Sequence, residues 1–262
     1  MQYAHLSWPE MRKALAESIA LVPLGSIEQH GHHLPVLTDT QLVTTVAEGI
    51  EDRFGARVLR LPTLWAGASD HHLDFPGTVS LPNALYTDVI KSIVRSLVGA
   101  GAKRVLLLNG HGGNRIPGHQ ALTELSNETD EVDAVWTVFA NYWEVAAEAM
   151  APDRHGLTTP EITHACEYET SMMLHVVGDL VHLDRVVEVE PMLSSSFTSG
   201  ARKNAVTYFK RFAKRTASGS MGRPSAATAE KGKGLIEAII NDACAFVDDF
   251  FTWPDPPDTQ PR

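Results

Sequence analysis

Four short apolar runs, separated by segments of helical spacing, constrain this chain more than any other feature. IALVPLG (19–25), RVLRLPTLW (57–65), KRVLLLNG (103–110) and VDAVWTVFA (132–140) have strand length, and near-continuous hydrophobicity of this kind marks strands buried on both faces. Between them, apolar residues recur three and four apart. Leu42, Val43, Val46 and Ile50 share one face of a helix that starts at Thr38 or Asp39 and runs to Phe54. Leu85, Val89, Ile93, Val94 and Leu97 do the same between Pro82 and Gly99. A further helix is expected over His119 to Ser126, and Ser7-Trp8-Pro9-Glu10 reads as the N-cap and first turn of an opening helix. The alternation predicts βαβ connectivity, hence an α/β fold in three layers (α/β/α) with a largely parallel central sheet. Ligands of such sheets sit beyond the carboxyl ends of the strands.

At 262 residues the chain can bury a substantial core. No internal repeat or low-complexity linker divides it, so one domain over 1–250 with a Pro-rich tail at 251–262 (FTWPDPPDTQPR), extended or disordered, is the simplest organisation. A net charge of −10 argues against a general nucleic-acid partner. The start, MQYAHLSWPEMRK, has no apolar signal core, and no run approaches membrane-spanning length; the expectation is a cytoplasmic protein without a membrane partner. Cys166 and Cys244 are too few and too far apart for a disulfide framework. Charge is uneven: Pro191 to Ala229 contains no acid but has Arg202, Lys203, Lys210, Arg211, Lys214, Arg215 and Arg223, so the remainder carries −17. A solvated face or a subunit contact is the preferred reading of that stretch, with anion binding as the other.

The chemistry gathers at two strand ends. Glu28, His30 and Asp39 follow the first strand, and Glu28 and His30, two apart in extended chain, can share one site. Asn109-Gly110-His111-Gly112-Gly113-Asn114 follows the third, its glycines allowing positive φ and close approach of the backbone to a small ligand. Nitrogen and oxygen donors in this mixture suit zinc, manganese or iron. A third segment, His164-Ala165-Cys166-Glu167-Tyr168-Glu169-Thr170-Ser171, reads as a loop entering a helix, with Glu167 or Glu169 near the helix start.

The pattern EQHG-x-H-x-P-x-x-x-D over Glu28 to Asp39, then NGHGGN and HA-x-E-x-ETS, with FPGTVSL (75–81) and ATAEKG (227–232) as supporting segments, resembles the creatininase family from about residue 8 to 250. The resemblance implies a creatininase-like fold, two divalent metal ions per chain (zinc or manganese, with iron as the other option), a homo-oligomer of up to six chains and a small-molecule amide substrate. Carried over by position, Glu28 and His111 hold one ion, His30 the other, and Asp39 bridges them. Gly113 stands where creatininase has a further glutamate ligand, and the resemblance points to Glu167 as its replacement. His164 matches the catalytic histidine that protonates the leaving nitrogen, with Glu167 beside it. His33, His72, Trp143 and Tyr168 are candidates for the substrate pocket; His33 also fits a partner behind the ligands.

Thr163 and Pro160 replace a glutamate and a tryptophan of creatininase proper. The implied activity is therefore hydrolysis of a non-peptide C–N bond in another cyclic amide or a formamide. Two alternatives are an iron-dependent maturation or redox relative on the same ligands, and a non-catalytic assembly protein that kept the fold.

Overall fold

The computed structural model describes residues 1–128, 130–188, 193, 195, 197, 206 and 208–256. Four strands, β1 (Ile19–Leu24), β2 (Val58–Arg60), β3 (Arg104–Asn109) and β4 (Trp136–Asn141), form a parallel sheet in the order β2-β1-β3-β4. The helices among the described residues are α1 (Trp8–Glu17), α2 (Thr38–Phe54), α3 (Asn83–Gly99), α4 (Arg115–Glu128), α5 (Asp130–Asp133), α6 (Tyr142–Val145), α7 (Pro152–His155), α8 (Glu167–Val177) and α9 (Ala229–Thr252). The expected three-layer α/β architecture is present.

Side chains alternate across a strand, so the sheet has two separate cores. Ile19, Leu21, Leu106 and Leu108 pack against α2, α8 and α9 on one face. Ala20, Val22, Leu24, Val105 and Leu107 pack against α1, α3 and α4 on the other. Each Leu or Ile buried in this way contributes roughly 1.5–3 kcal/mol relative to exposure. Ser7 and Glu10 form the expected capping box at α1, and Thr228 caps α9 by accepting from the Lys231 N–H. The register runs from Ile19↔Arg104 to Leu24↔Asn109 and from Arg104↔Trp136 to Asn109↔Asn141. Three strand ends are therefore level, and the segments that follow them meet at one rim.

Several boundaries differ from expectation. The regular second strand stops at Arg60, although the Leu61 N–H still donates to the Leu21 carbonyl at 2.9 Å and the isolated bridge Leu24↔Leu64 resumes the pairing. The fourth starts at Trp136, its first expected residues being taken by α5. The helix expected over 119–126 extends back to Arg115, with Pro117 tolerated in its first turn. The tail does not loosen at 251: α9 runs to Thr252, Trp253 packs on the core, and its carbonyl accepts from Arg104 Nη2 at 2.7 Å. Residues 257–262 lie outside the described residues. No described helix is long and apolar enough to cross a membrane.

Candidate active site

β1 ends at Leu24 and delivers Glu28 and His30 to the rim; α2 begins at Thr38 and delivers Asp39 in its first turn. β3 ends at Asn109, whose side chain binds the His111 backbone, with its amide donating to the His111 carbonyl at 2.7 Å. Gly110 lets this loop sit against the start of α2, where a Cβ would lie 2.6 Å from Val43 Cβ. None of the loop glycines has positive φ. Their use here is close approach, not the left-handed conformation expected from the sequence. A Cβ on Gly113 would collide with the Ala68 carbonyl oxygen and His111 Nε2. Gly113→Ala is expected to cost about 1–3 kcal/mol by overpacking, read as a lower urea midpoint at unchanged m-value.

Glu28, His30, Asp39 and His111 converge, all at most 4% exposed. His30 Nε2 lies 3.2 Å from Asp39 Oδ1, and His111 Nδ1 lies 2.9 Å from Asp39 Oδ2 and 3.4 Å from Glu28 Oε2. His30 donates its Nδ1–H to the Glu28 carbonyl at 3.1 Å, which leaves a lone pair on Nε2 aimed at a carboxylate oxygen. His111 repeats this: Nε2 is within 3.2 Å of the Ala68 carbonyl, and Nδ1 faces the two carboxylates. Lone pairs aimed at anions need a cation between them. Glu28 Oε2, His30 Nε2, Asp39 Oδ2 and Glu169 Oε2 are correspondingly buried without a hydrogen-bond partner. With protons as the only cations, His30 is pushed up to about 9: burial opposes this, but Asp39 overrides it. His111 is raised likewise by Glu28 and Asp39 against its burial, and Asp39 is held far below the carboxylate range by the two imidazoles despite its own burial. The donor set fits divalent metal, and His30, Asp39 and Glu169 form one candidate ligand group, with Glu28, His71 and His111 another.

Glu169, not Glu167, is the carboxylate that joins His30 and Asp39. This corrects the expectation, and the reason is helical geometry. Both residues lie in the first turn of α8, and residues two apart on a helix point to nearly opposite sides. Glu167 turns away from the site, accepting from Thr158 N, Thr158 Oγ1 and Thr159 N at 2.9, 2.9 and 2.7 Å and from Lys231 Nζ at 2.7 Å. Its carboxylate is committed to the 158–159 loop and to Lys231. Burial pushes Glu169 up to about 7, with Asp39 adding to the shift against His30.

His164 packs its ring 4.2 Å from His30, with Nδ1 3.7 Å from Glu28 Oε1. Its Nε2 is 2.8 Å from the Gln29 carbonyl, which can only accept, so Nε2 carries the hydrogen and Nδ1 the lone pair. The Gln29 amide donates to His72 Nδ1 at 2.8 Å and to the Gly219 carbonyl at 3.0 Å. His72 Nε2–H is then directed at Glu28 Oε1, 3.4 Å away. Burial, followed by His30 and His72, holds His164 well below the usual histidine range, so it is neutral. Ala165, next to it, has φ of 50°, the one non-glycine residue with positive φ among those described. Backbone strain of this kind costs roughly 1–3 kcal/mol and persists where packing over-determines it.

A cavity of about 1250 Å³ opens onto this cluster, and His72, Trp143 and Tyr168 are among the residues that line it. His33 does not. It lies behind α8, its Nε2 2.9 Å from Thr170 Oγ1, and supports the turn that carries Glu169. His71, one residue before the pocket candidate His72, approaches Glu28 and His111. Phe212 was missed; it stacks on His72 at 4.3 Å and meets His164 edge-on at 4.5 Å. Of the basic stretch, Arg202 and Lys203 lie outside the described residues, whereas Lys210, Arg211 and Arg215 line the cavity and are not a purely solvated face.

The family model described as creatinine amidohydrolase matches residues 4–247. The chain belongs to the creatininase family. Within the family it is 31% identical to a creatinine amidohydrolase of Pseudomonas putida over 249 residues, covering 90% of this chain and 91% of the relative. It is 32% identical to a mycofactocin precursor peptide peptidase of Mycolicibacterium smegmatis over 231 residues, 87% and 83% of the two chains. A creatininase variant complexed with creatine superposes with a TM-score of 0.80 at 28% identity, covering 96% of this chain and 98% of the other. Creatininases described with manganese and as a Zn–Zn type superpose with TM-scores of 0.76 and 0.77, each at 28% identity over 96% of this chain and 98% of theirs. The chain is an enzyme of the hydrolase class that acts on C–N bonds.

Proposed function

We propose that this creatininase-family chain is a di-metal amidohydrolase that opens a C–N bond other than a peptide bond, in a cyclic amide or a formamide, with water. Glu28 and His111 would hold one ion, His30 and Glu169 the other, and Asp39 would bridge. The supporting observation is the pair of imidazole lone pairs, His30 Nε2 and His111 Nδ1, aimed at the two oxygens of a buried Asp39. Zinc, manganese or iron suits these donors. Such ions supply, when bound, Lewis acidity toward a carbonyl oxygen and a water acidified toward neutral pH.

The chain's own residues do the rest. His164, its tautomer set by the Gln29 carbonyl, offers Nδ1 as the proton carrier: it takes a proton there and returns it to the leaving nitrogen. Phe212, over His72 and His164, keeps water from that nitrogen. Trp143 and Tyr168 bound the substrate's space. A peptide-derived amide is the second reading. It is favoured by a cavity larger than the roughly 300–1,000 Å³ usual for small ligands and by the likeness to a peptide peptidase.

Elemental analysis of protein purified without chelator tests the ligand set. About two divalent ions per chain are expected, falling to about one in Glu169→Gln and unchanged in Glu167→Gln. The reverse ordering of the two variants would return Glu167 to the site. Absence of metal even after reconstitution would favour an assembly protein over an enzyme, and an oxygen-sensitive iron spectrum the redox alternative.

A further inference from the structure

Arg215 puts a cation in the cavity wall with no carboxylate among the described residues paired to it. Its guanidinium carbon lies 4.9 Å from the centre of the Phe212 ring and 5.8 Å from that of Tyr208. Its Nε is buried without a hydrogen-bond partner. Other cavity arginines are answered: Arg211 Nη1 lies 2.7 Å from Asp74, and Arg115 Nη1 lies 2.9 Å from Glu144. Nor is a spare acid nearby in Asp70, which accepts from Ser80 Oγ at 2.6 Å.

We propose that Arg215 is the recognition group for an anion, a carboxylate or a phosphate, carried by the substrate away from its scissile amide. This rests on the amidohydrolase reading of the same cavity and narrows its substrate class. A guanidinium presents a planar fork of donors that matches both anions in two-point contact, and stacking on an aromatic ring fixes the plane of that fork in advance. Partial removal from water strengthens the attraction. Phe212, whose ring centre lies 4.9 Å from the Arg215 guanidinium carbon, is 6.4 Å from the ring of His71, which approaches Glu28 and His111. An anion held there is thus within a small molecule's length of the reacting centre.

Isothermal titration of the metal-loaded protein with benzoate, phenyl phosphate and neutral benzyl alcohol tests this. At least one anion is expected to bind about tenfold or more tighter than the alcohol, a difference of about 1.4 kcal/mol, and the tighter anion names the group. Arg215→Met, which keeps apolar packing on Phe212, should bring that anion to within about threefold of the alcohol, and Arg215→Lys should restore part of the preference. Equal binding of the three probes by the wild-type protein would overturn the proposal. So would an anion preference that survives in a folded Arg215→Met protein, since the metal would then be the anion's partner. Because the readout is binding, a retained preference in a protein with no amide turnover would reject the hydrolase reading and leave the anion site standing.

Discussion

Replacing His164 with alanine is expected to lower kcat by about 10²–10⁴-fold, the range for a lost general acid–base group, while metal content stays at the wild-type value. Among the imidazoles of the cluster that line the cavity, His164 and His71 are the two whose ring nitrogens are not both committed, and the tautomer of His164 is fixed by the Gln29 carbonyl. His30 and His111 direct theirs at Asp39 at 3.2 and 2.9 Å. His72 has both nitrogens engaged, by the Gln29 amide at 2.8 Å and toward Glu28 at 3.4 Å. His164 Nδ1, 3.7 Å from Glu28, is beyond hydrogen-bond reach and open to a substrate. The measurement is kcat and KM on an amide found by screening lactams and formamides, with elemental analysis alongside. A loss confined to kcat identifies a group that acts in the transition state. Activity within threefold of wild type would transfer the role to His71 or to water; a parallel loss of metal would make His164 a ligand.

The sheet was legible because β1 and β3 are buried on both faces and therefore read as unbroken apolar runs. β2 was overread because its apolar run continues past Arg60, where the regular ladder gives way to an isolated bridge. The first four ligand candidates were also legible, since they lie directly after strand ends or at a helix start. Glu169 was missed for a local reason. The segment was read as a helix entrance, yet the choice between two acids was made by position in a motif, when helix geometry alone allows only one of them to face the cluster. His33 could have served as the guide: a polar group behind the ligands needs a partner, and Thr170, adjacent to Glu169, supplies it. Phe212 and Arg215 were not legible at all. They come from a loop more than forty residues beyond His164, and nothing in their local spacing says that the chain returns to the cavity.

Removing the Lys231 ammonium by Lys231→Met is expected to destabilise the protein by about 3–5 kcal/mol, the cost of leaving a buried charge without its partner. Glu167 is fully buried, and its carboxyl nevertheless lies below the usual range: burial raises it, but Lys231 and the Thr158 and Thr159 donors outweigh that. Lys231 Nζ spans Glu167 at 2.7 Å and the Ala226 carbonyl at 2.8 Å, so it ties the start of α9 to the start of α8. The loop at 158–159 joins the same knot through its two backbone N–H groups. At this chain length the loss corresponds to roughly 6–20 °C in Tm. Adding Glu167→Gln to Lys231→Met should recover part of it, because the neutral amide oxygen still accepts from the threonine loop and no charge is left stranded. Metal content divides the two readings of Glu167. An ion-pair partner that fastens two helices changes stability and leaves the metal in place at temperatures where the variant is folded. A ligand would do the opposite: Lys231→Met would alter metal affinity with a stability change below about 1 kcal/mol, the range of an exposed pair. That outcome would bring Glu167 back to the metal and displace Glu169.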